Sequence, residues 1–179
     1  MLVSDPHLTD EAATVHANQS GDSEAFTALF RHFYPTIYAY AYRLSLCAND
    51  AQDIAQETFI KAARALPRFR PTAPFCHWLH HICTNTARDW QRRHVRRQRL
   101  NESLEADAKL EIREPDREFD AVREALAALP HELRETVALV YQENLTHAQA
   151  AQILGCAEPT VSWRIFTAKR KLRPLLRHG

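Results

Sequence analysis

Residues 146–173 read THAQAAQILGCAEPTVSWRIFTAKRKLR, and this stretch decides the fold of the C-terminal part of the chain. Thr146 and Gln149 stand three apart at the head of an apolar-periodic run. That is the spacing of a capping box, in which the two side chains satisfy backbone N–H groups at the helix start. Gly155 ends the run, because a residue without Cβ enters the left-handed region at little cost. Pro159 falls in the first turn of the next helix, where its missing N–H costs nothing. Ala151 is small where the two helices cross, and Val161 packs the second on the first. The reading is a helix-turn-helix. Its second helix offers Thr160, Ser162, Trp163, Arg164, Phe166, Thr167, Lys169 and Arg170, with a first half shaped for a major groove and a basic end suited to phosphates. An ordinary helical hairpin with a solvated charged face is the alternative, and the conjunction of signals favours DNA. Arg164 is open to a second role as an ion-pair partner. Trp163 lies off the inward stripe of Val161, Ile165, Ala168 and Leu172, so it is expected to be partly exposed.

Working outward, charge is segregated along the chain. A first basic block ends in Arg88, Arg92, Arg93, Arg96, Arg97 and Arg99, and a second runs from Arg164 to Arg177. Between them, residues 101–118 carry seven acids against three bases, so a formal net charge of +1 hides two basic faces joined by an acidic hinge. Two such faces on a tether fit an extended polyanion touched at separate places. Only three glycines, with abundant Ala, Leu, Arg and Glu, imply an all-α chain. The first residues lack the basic flank and apolar run of a signal peptide, and no stretch reaches a membrane span. Four cysteines without framework spacing read as reduced thiols. The expectation is a soluble, cytoplasmic protein without direct membrane insertion.

The remaining pattern divides the chain at 1–100, 101–115 and 116–179. A first helix spans Thr9 to Ser20. A second runs from Glu24 with apolar residues at helical spacing, and Pro35 kinks or restarts it. Asn49 and Gln52 resemble a capping box opening a helix that Pro67 closes. Phe69 to Phe75 is a loop, and His77 to about Arg99 a helix with Leu79, Ile82, Cys83, Thr86 and Trp90 inward. Beyond the hinge, Pro115-Asp116 caps a helix with the stripe Phe119, Val122, Leu126 and Leu129, and Pro130 opens another with Leu133, Val137 and Val140 inward.

Two surfaces of the N-terminal part invite partners. Asp50, Asp53 and Glu57 line one helix face with Gln56 alongside, while Ile54, Ala55 and Phe59 supply apolar contacts. Like charges at helical spacing repel, so the stripe makes sense as a docking face for a basic partner. On the following helix, His81, Asn85, Arg88 and Arg92 share the face opposite the apolar stripe. Asn85 suits a base edge and the arginines suit phosphate or guanine. Phe75 and Trp78 sit at the loop mouth, where an aromatic could stack on an unstacked base, Trp78 reading rather as core. Cys76, His80 and Cys83 have spacing that lets side chains converge, but the usual fourth ligand is not specified, so no metal is assigned. No nucleophile–base arrangement or phosphate-cradling glycine loop is present, and no cofactor or small-molecule substrate is implied.

The run Asp50-Ala51-Gln52-Asp53-Ile54-Ala55-Gln56-Glu57-Thr58-Phe59-Ile60-Lys61-Ala62, then Phe69-Arg70, Trp78-Leu79, Ile82, Asn85, Arg88-Asp89 and the helix-turn-helix, in that order, resembles a bacterial sigma factor. The layout without a central domain is similar to the extracytoplasmic-function group, and the likeness covers Gly21 to Leu172. It implies that Asp50, Asp53, Gln56, Glu57 and Phe59 dock on the β′ clamp helices of core RNA polymerase. It implies that Arg70, Phe75, His81, Asn85, Arg88, Arg92 and Arg93 serve the −10 promoter element, the 69–75 loop holding a flipped base. The eight residues of the second helix named above would serve the −35 element, and the acidic hinge would thread toward the active-site cleft. An anti-sigma factor is the further partner implied. In one respect the chain departs from the family: where the loop usually begins with Gly and small polar residues, Pro71-Thr72-Ala73-Pro74 stiffens it and removes two backbone donors. The competing classes are a sigma mimic that titrates an anti-sigma factor, which would not need the basic faces, and a stand-alone repressor, which would leave the acidic stripe unexplained.

Overall fold

The computed structural model describes residues 23–70, 72–101 and 123–175, and their regular structure is entirely helical. Helix α1 spans Ser23–Ser45, α2 Ala48–Ala65, and a 3-10 turn Leu66–Arg68 leads through a loop to α3, Phe75–Asn101. After the hinge come α4 (residues 123–127), α5 (His131–Val137, continued as a π-helix over Ala138–Gln142), α6 (His147–Leu154) and α7 (Glu158–Leu175). The expected first helix, the hinge from residue 102, and the Pro115-Asp116 cap with Phe119 and Val122 lie outside the described residues.

Helices α1, α2 and α3 form the N-terminal unit. Phe33, Ile37, Tyr40 and Leu44 recur at helical spacing on α1 and are buried against Ile54, Ala55 and Phe59 of α2 and Leu79 and Cys83 of α3. Pro35 neither stops nor restarts α1. It is exposed on the solvent side, and the packing of Phe33 and Ile37 around it holds the helix at the loss of one backbone bond. The start of α2 also differs from the sequence reading. Its N-cap is Cys47, with extended backbone and no side-chain cap, so Asn49 and Gln52 form no capping box. The turn before it is shaped instead by Leu46 at φ 60 and by the Ser45 hydroxyl, which donates to the Cys47 carbonyl at 3.0 Å.

The C-terminal unit follows the sequence closely. The Thr146 hydroxyl accepts from the Gln149 N–H at 3.2 Å, and the Gln149 side-chain oxygen accepts from the Thr146 N–H at 2.9 Å. Gly155 caps α6 at φ 66, ψ 40, in the left-handed region. Val161 is fully buried, and Ala151 nearly so, where α7 crosses α6. A Cβ on Gly155 would meet nothing within 4 Å, so Gly155→Ala pays only for the backbone conformation. Gly155→Ala and Thr146→Ala are each expected to lower stability by about 1 kcal/mol, read from the midpoint of chemical denaturation.

The two units touch. Helix α3 packs against α6, and α1 against α5 with its π-helical extension. Arg134 crosses the boundary, donating from Nη1 at 2.8 Å to the Leu44 carbonyl in the last turn of α1.

Candidate nucleic-acid and polymerase interfaces

The face of α3 expected to read bases is the face on which the C-terminal unit sits. Arg88 donates from Nε and Nη2 to both carboxylate oxygens of Glu135, at 2.8 and 2.7 Å. Glu135 is completely buried and also receives His131 at 2.9 Å. Desolvation alone would raise its carboxyl, but hydrogen bonds from His131 and Arg88 hold it below the usual carboxylate range, so it stays charged at neutral pH. The same pair raises Arg88 further. Two turns before Arg88, the His81 ring shares a 2.7 Å hydrogen bond with the Ile153 carbonyl of α6, and Asn85 is paired with His81 at 3.0 Å. His81, Asn85 and Arg88 are thus brought together; the second unit holds His81 and Arg88 directly, and Asn85, exposed, is paired with His81.

A second cluster reinforces the contact. Glu143, just past the π-helix, accepts from Arg43 of α1 at 2.7 Å and lies 3.4 Å from Nε2 of buried His80. His80 and Arg43 outweigh desolvation and keep Glu143 below the usual carboxylate range. Burial pushes the Tyr40 phenol well above its ordinary value, with Glu135 adding to it, and its hydroxyl pairs with Thr84 at 2.9 Å. Glu135 and Glu143 were not among the sequence candidates. An acid between Leu133 and Val137 reads as an ordinary helix surface, and only the neighbouring unit gives it a role.

The other −10 candidates divide. Arg70 and Arg92 are exposed, Arg92 pairing with Asp89 at 2.8 Å. Arg93 turns to α2, where it holds Glu57 at 2.8 Å. Phe75 is a correction: it is 5% exposed, packed among Phe33, Phe69 and Trp78, so its ring closes the core beneath the loop and is not presented for stacking.

On α2, Asp53 and Gln56 are exposed and Asp50 half-buried. Glu57 departs from the stripe, because Lys61 at 3.0 Å and Arg93 engage it and, against desolvation, lower its pKa. Phe59 is also corrected: it is buried against Phe30 and Tyr34. It forms the floor of a groove of 430 Å³ lined by Phe26, Phe30, Gln56 and Ile60 beside the acidic stripe. Ile60 is 53% exposed at its edge, which places an apolar slot next to carboxylates.

Helix α7 sorts the −35 candidates. Ser162, Trp163, Phe166, Lys169 and Arg170 are exposed, and Thr160 is half-buried. Thr167 is buried, a correction to its expected place in the groove, because it follows the inward stripe. Arg164 takes the ion-pair role, its side chain largely covered and 3.8 Å from Glu132. The cysteine–histidine spacing brings no convergence. His80 Nδ1 is 2.7 Å from the Cys76 carbonyl, and Cys83 is buried against Thr58 with its thiol pushed up to about 12.

Comparisons with known proteins place the chain in a family. The family model for Sigma-70 region 2 matches residues 29–97, and that for Sigma-70, region 4, matches residues 119–172. The RNA polymerase sigma-H factor of Pseudomonas aeruginosa is 34% identical over 90% of this chain and 93% of its own length. The ECF RNA polymerase sigma-E factor of Haemophilus influenzae is 30% identical over 94% of this chain and 98% of its own. Among solved structures, CnrH in complex with the cytosolic domain of CnrY aligns at TM-score 0.72 and 26% identity, covering 94% of this chain and 98% of that one. The sigma factor RpoE in complex with the anti-sigma factor NepR from Bartonella quintana aligns at TM-score 0.71 and 25% identity, covering 85% and 96%. With both family regions matched in order and such relatives spanned almost end to end, the chain belongs to the extracytoplasmic-function sigma factors.

Proposed function

We propose that this chain is an alternative sigma factor that docks on core RNA polymerase through α2 and directs it to promoters read by α3 and α7. It is a binding protein and not an enzyme. The observation that carries the reading is the acidic edge of Asp50 and Asp53, with Gln56 alongside, beside an apolar groove, on a chain that also bears a capped helix-turn-helix. Carboxylates next to a slot suit a helical partner with basic and apolar stripes, as the β′ clamp helices would be. Glu57 acts there through its network with Lys61 and Arg93, and Phe59 by shaping the slot.

Residues 1–100 would serve docking and the −10 element, 116–179 the −35 element, with 101–115 as tether. Within the −10 surface, His81, Asn85 and Arg88 are the base-reading set, with Arg70 and Arg92 flanking. Arg88 must leave Glu135 before it can meet DNA, so promoter reading requires the units to part. One structural relative was solved with an anti-sigma factor and another with the cytosolic domain of a partner, which supports an anti-sigma factor as a partner here. No described helix is long and apolar enough to cross a membrane, and the proposed role on polymerase supports a cytoplasmic location.

The test is whether the purified chain lets core polymerase initiate at a defined promoter in vitro; initiation equal to core alone would refute the reading. Within it, Asn85→Ala is expected to change preference among −10 sequences. Arg96→Ala should instead weaken all sequences alike and flatten the salt dependence of binding. Unchanged −10 preference in the Asn85 variant would remove that residue from the reading site.

A further inference from the structure

Trp163 and Phe166 are 62% and 64% exposed, and they stand three apart on α7 with Arg170 four residues beyond. The three share one stripe on the side away from Val161, Ile165 and Ala168. Two large aromatics on a helix surface forfeit contact with core and must find it elsewhere or remain a liability.

Most of the polar side chains around them are covered or engaged, Thr160 being half-buried. The Ser162 hydroxyl is paired with His147 Nδ1 at 2.9 Å. Lys169 lies over the Tyr141 ring, 5.5 Å from its centroid. Thr167 is buried and Arg164 is drawn back toward Glu132. What the first turns of α7 offer a groove is therefore chiefly apolar surface, with the Trp163 indole N–H as one donor at its edge.

The floor of the major groove carries hydrogen-bonding groups at every base pair and one apolar group, the C5-methyl of thymine. Pressing an aromatic ring on an amino or keto edge strips its water without replacing the hydrogen bond, whereas pressing it on a methyl buries apolar area on both sides. We infer that Trp163 and Phe166 read thymine methyl groups, so that the −35 element of this sigma factor is specified by the placement of thymines on either strand. Arg170 and Lys171, exposed on the same helix, supply the phosphate attraction that brings the rings to the groove. The inference rests on the −35 role proposed for α7.

The experiment uses the full chain bound to core polymerase, on a promoter from which this holoenzyme is first shown to initiate. Each −35 thymine is replaced by deoxyuridine, which deletes the methyl and keeps every hydrogen bond. Each contacted methyl removed should weaken binding about fourfold. Phe166→Ala and Trp163→Ala, at exposed positions that leave the fold intact, should bind the thymine promoter more weakly and lose the sensitivity to uracil. A wild-type holoenzyme that initiates normally and binds both promoters alike overturns the inference while leaving the sigma-factor reading standing. So does a selected −35 element without thymine on either strand, or variants that stay as uracil-sensitive as wild type. Failure to initiate at any promoter overturns both.

Discussion

Glu135→Gln is expected to loosen the closed arrangement of the two helical units and to raise the affinity of the free chain for single-stranded −10 DNA. The bidentate pair with Arg88 is charge-assisted at both ends, and removing one partner strands the other's charge. Arg88 is partly exposed and regains water once the units part, so the expected cost to the contact is about 2–3 kcal/mol. That corresponds to a shift on the order of 30–150-fold toward the open form. Fluorescence transfer between a donor on α2 and an acceptor on α7 would report it, and an unchanged distance in the variant would sink the idea. A charge swap, Arg88→Glu with Glu135→Arg, should restore the distance without restoring DNA binding. The pH dependence follows from the carboxyls. Both Glu135 and Glu143 lie below the ordinary value of 4.5 in the closed form. Their contribution is complete above that value and lost as pH falls through the depressed ones. The distance should therefore hold through the neutral range and increase only in acid.

Asp53→Arg is expected to weaken binding to core polymerase by on the order of a hundredfold or more, because it sets a cation against a partner face selected for basic charge. Asp53 is exposed and has no ion-pair partner among the described residues, so its reversal should leave the denaturation midpoint within about 0.5 kcal/mol of wild type. Glu57→Arg is a poorer probe, since it would also release Lys61 and Arg93. Affinity for core measured by fluorescence anisotropy decides the matter: an unchanged value for the Asp53 variant takes α2 out of the docking surface.

Local rules were legible wherever a residue acts on its near neighbours. Thr146, Gln149, Gly155 and Val161 do so, and their roles could be read from spacing because a cap or a helix crossing is settled within about ten residues. Helical periodicity likewise exposed the stripes of Leu79 and Cys83, and of Leu133 and Val137. What stayed hidden depended on residues distant in the chain. Phe75 reads as a loop-mouth aromatic until Phe33, more than forty positions earlier, closes over it. Arg93 reads as one more member of a basic run until Glu57 claims it. The Asn49–Gln52 motif shows the opposite failure, a correct local pattern displaced by the sharp turn at Leu46.

On the −10 role proposed for it, the surface of α3 that carries His81, Asn85 and Arg88 answers to two demands at once, fitting a base and, through His81 and Arg88, fitting the end of α6 and Glu135. Such a surface has little freedom to drift. A substitution that retunes which genes the factor selects also changes how firmly the unbound molecule stays shut, and with it the background expression of those genes. Divergence among paralogues built on this plan should then proceed by paired changes across α3 and α5. A descendant that altered α3 alone would acquire a new set of targets and a leak in the same step.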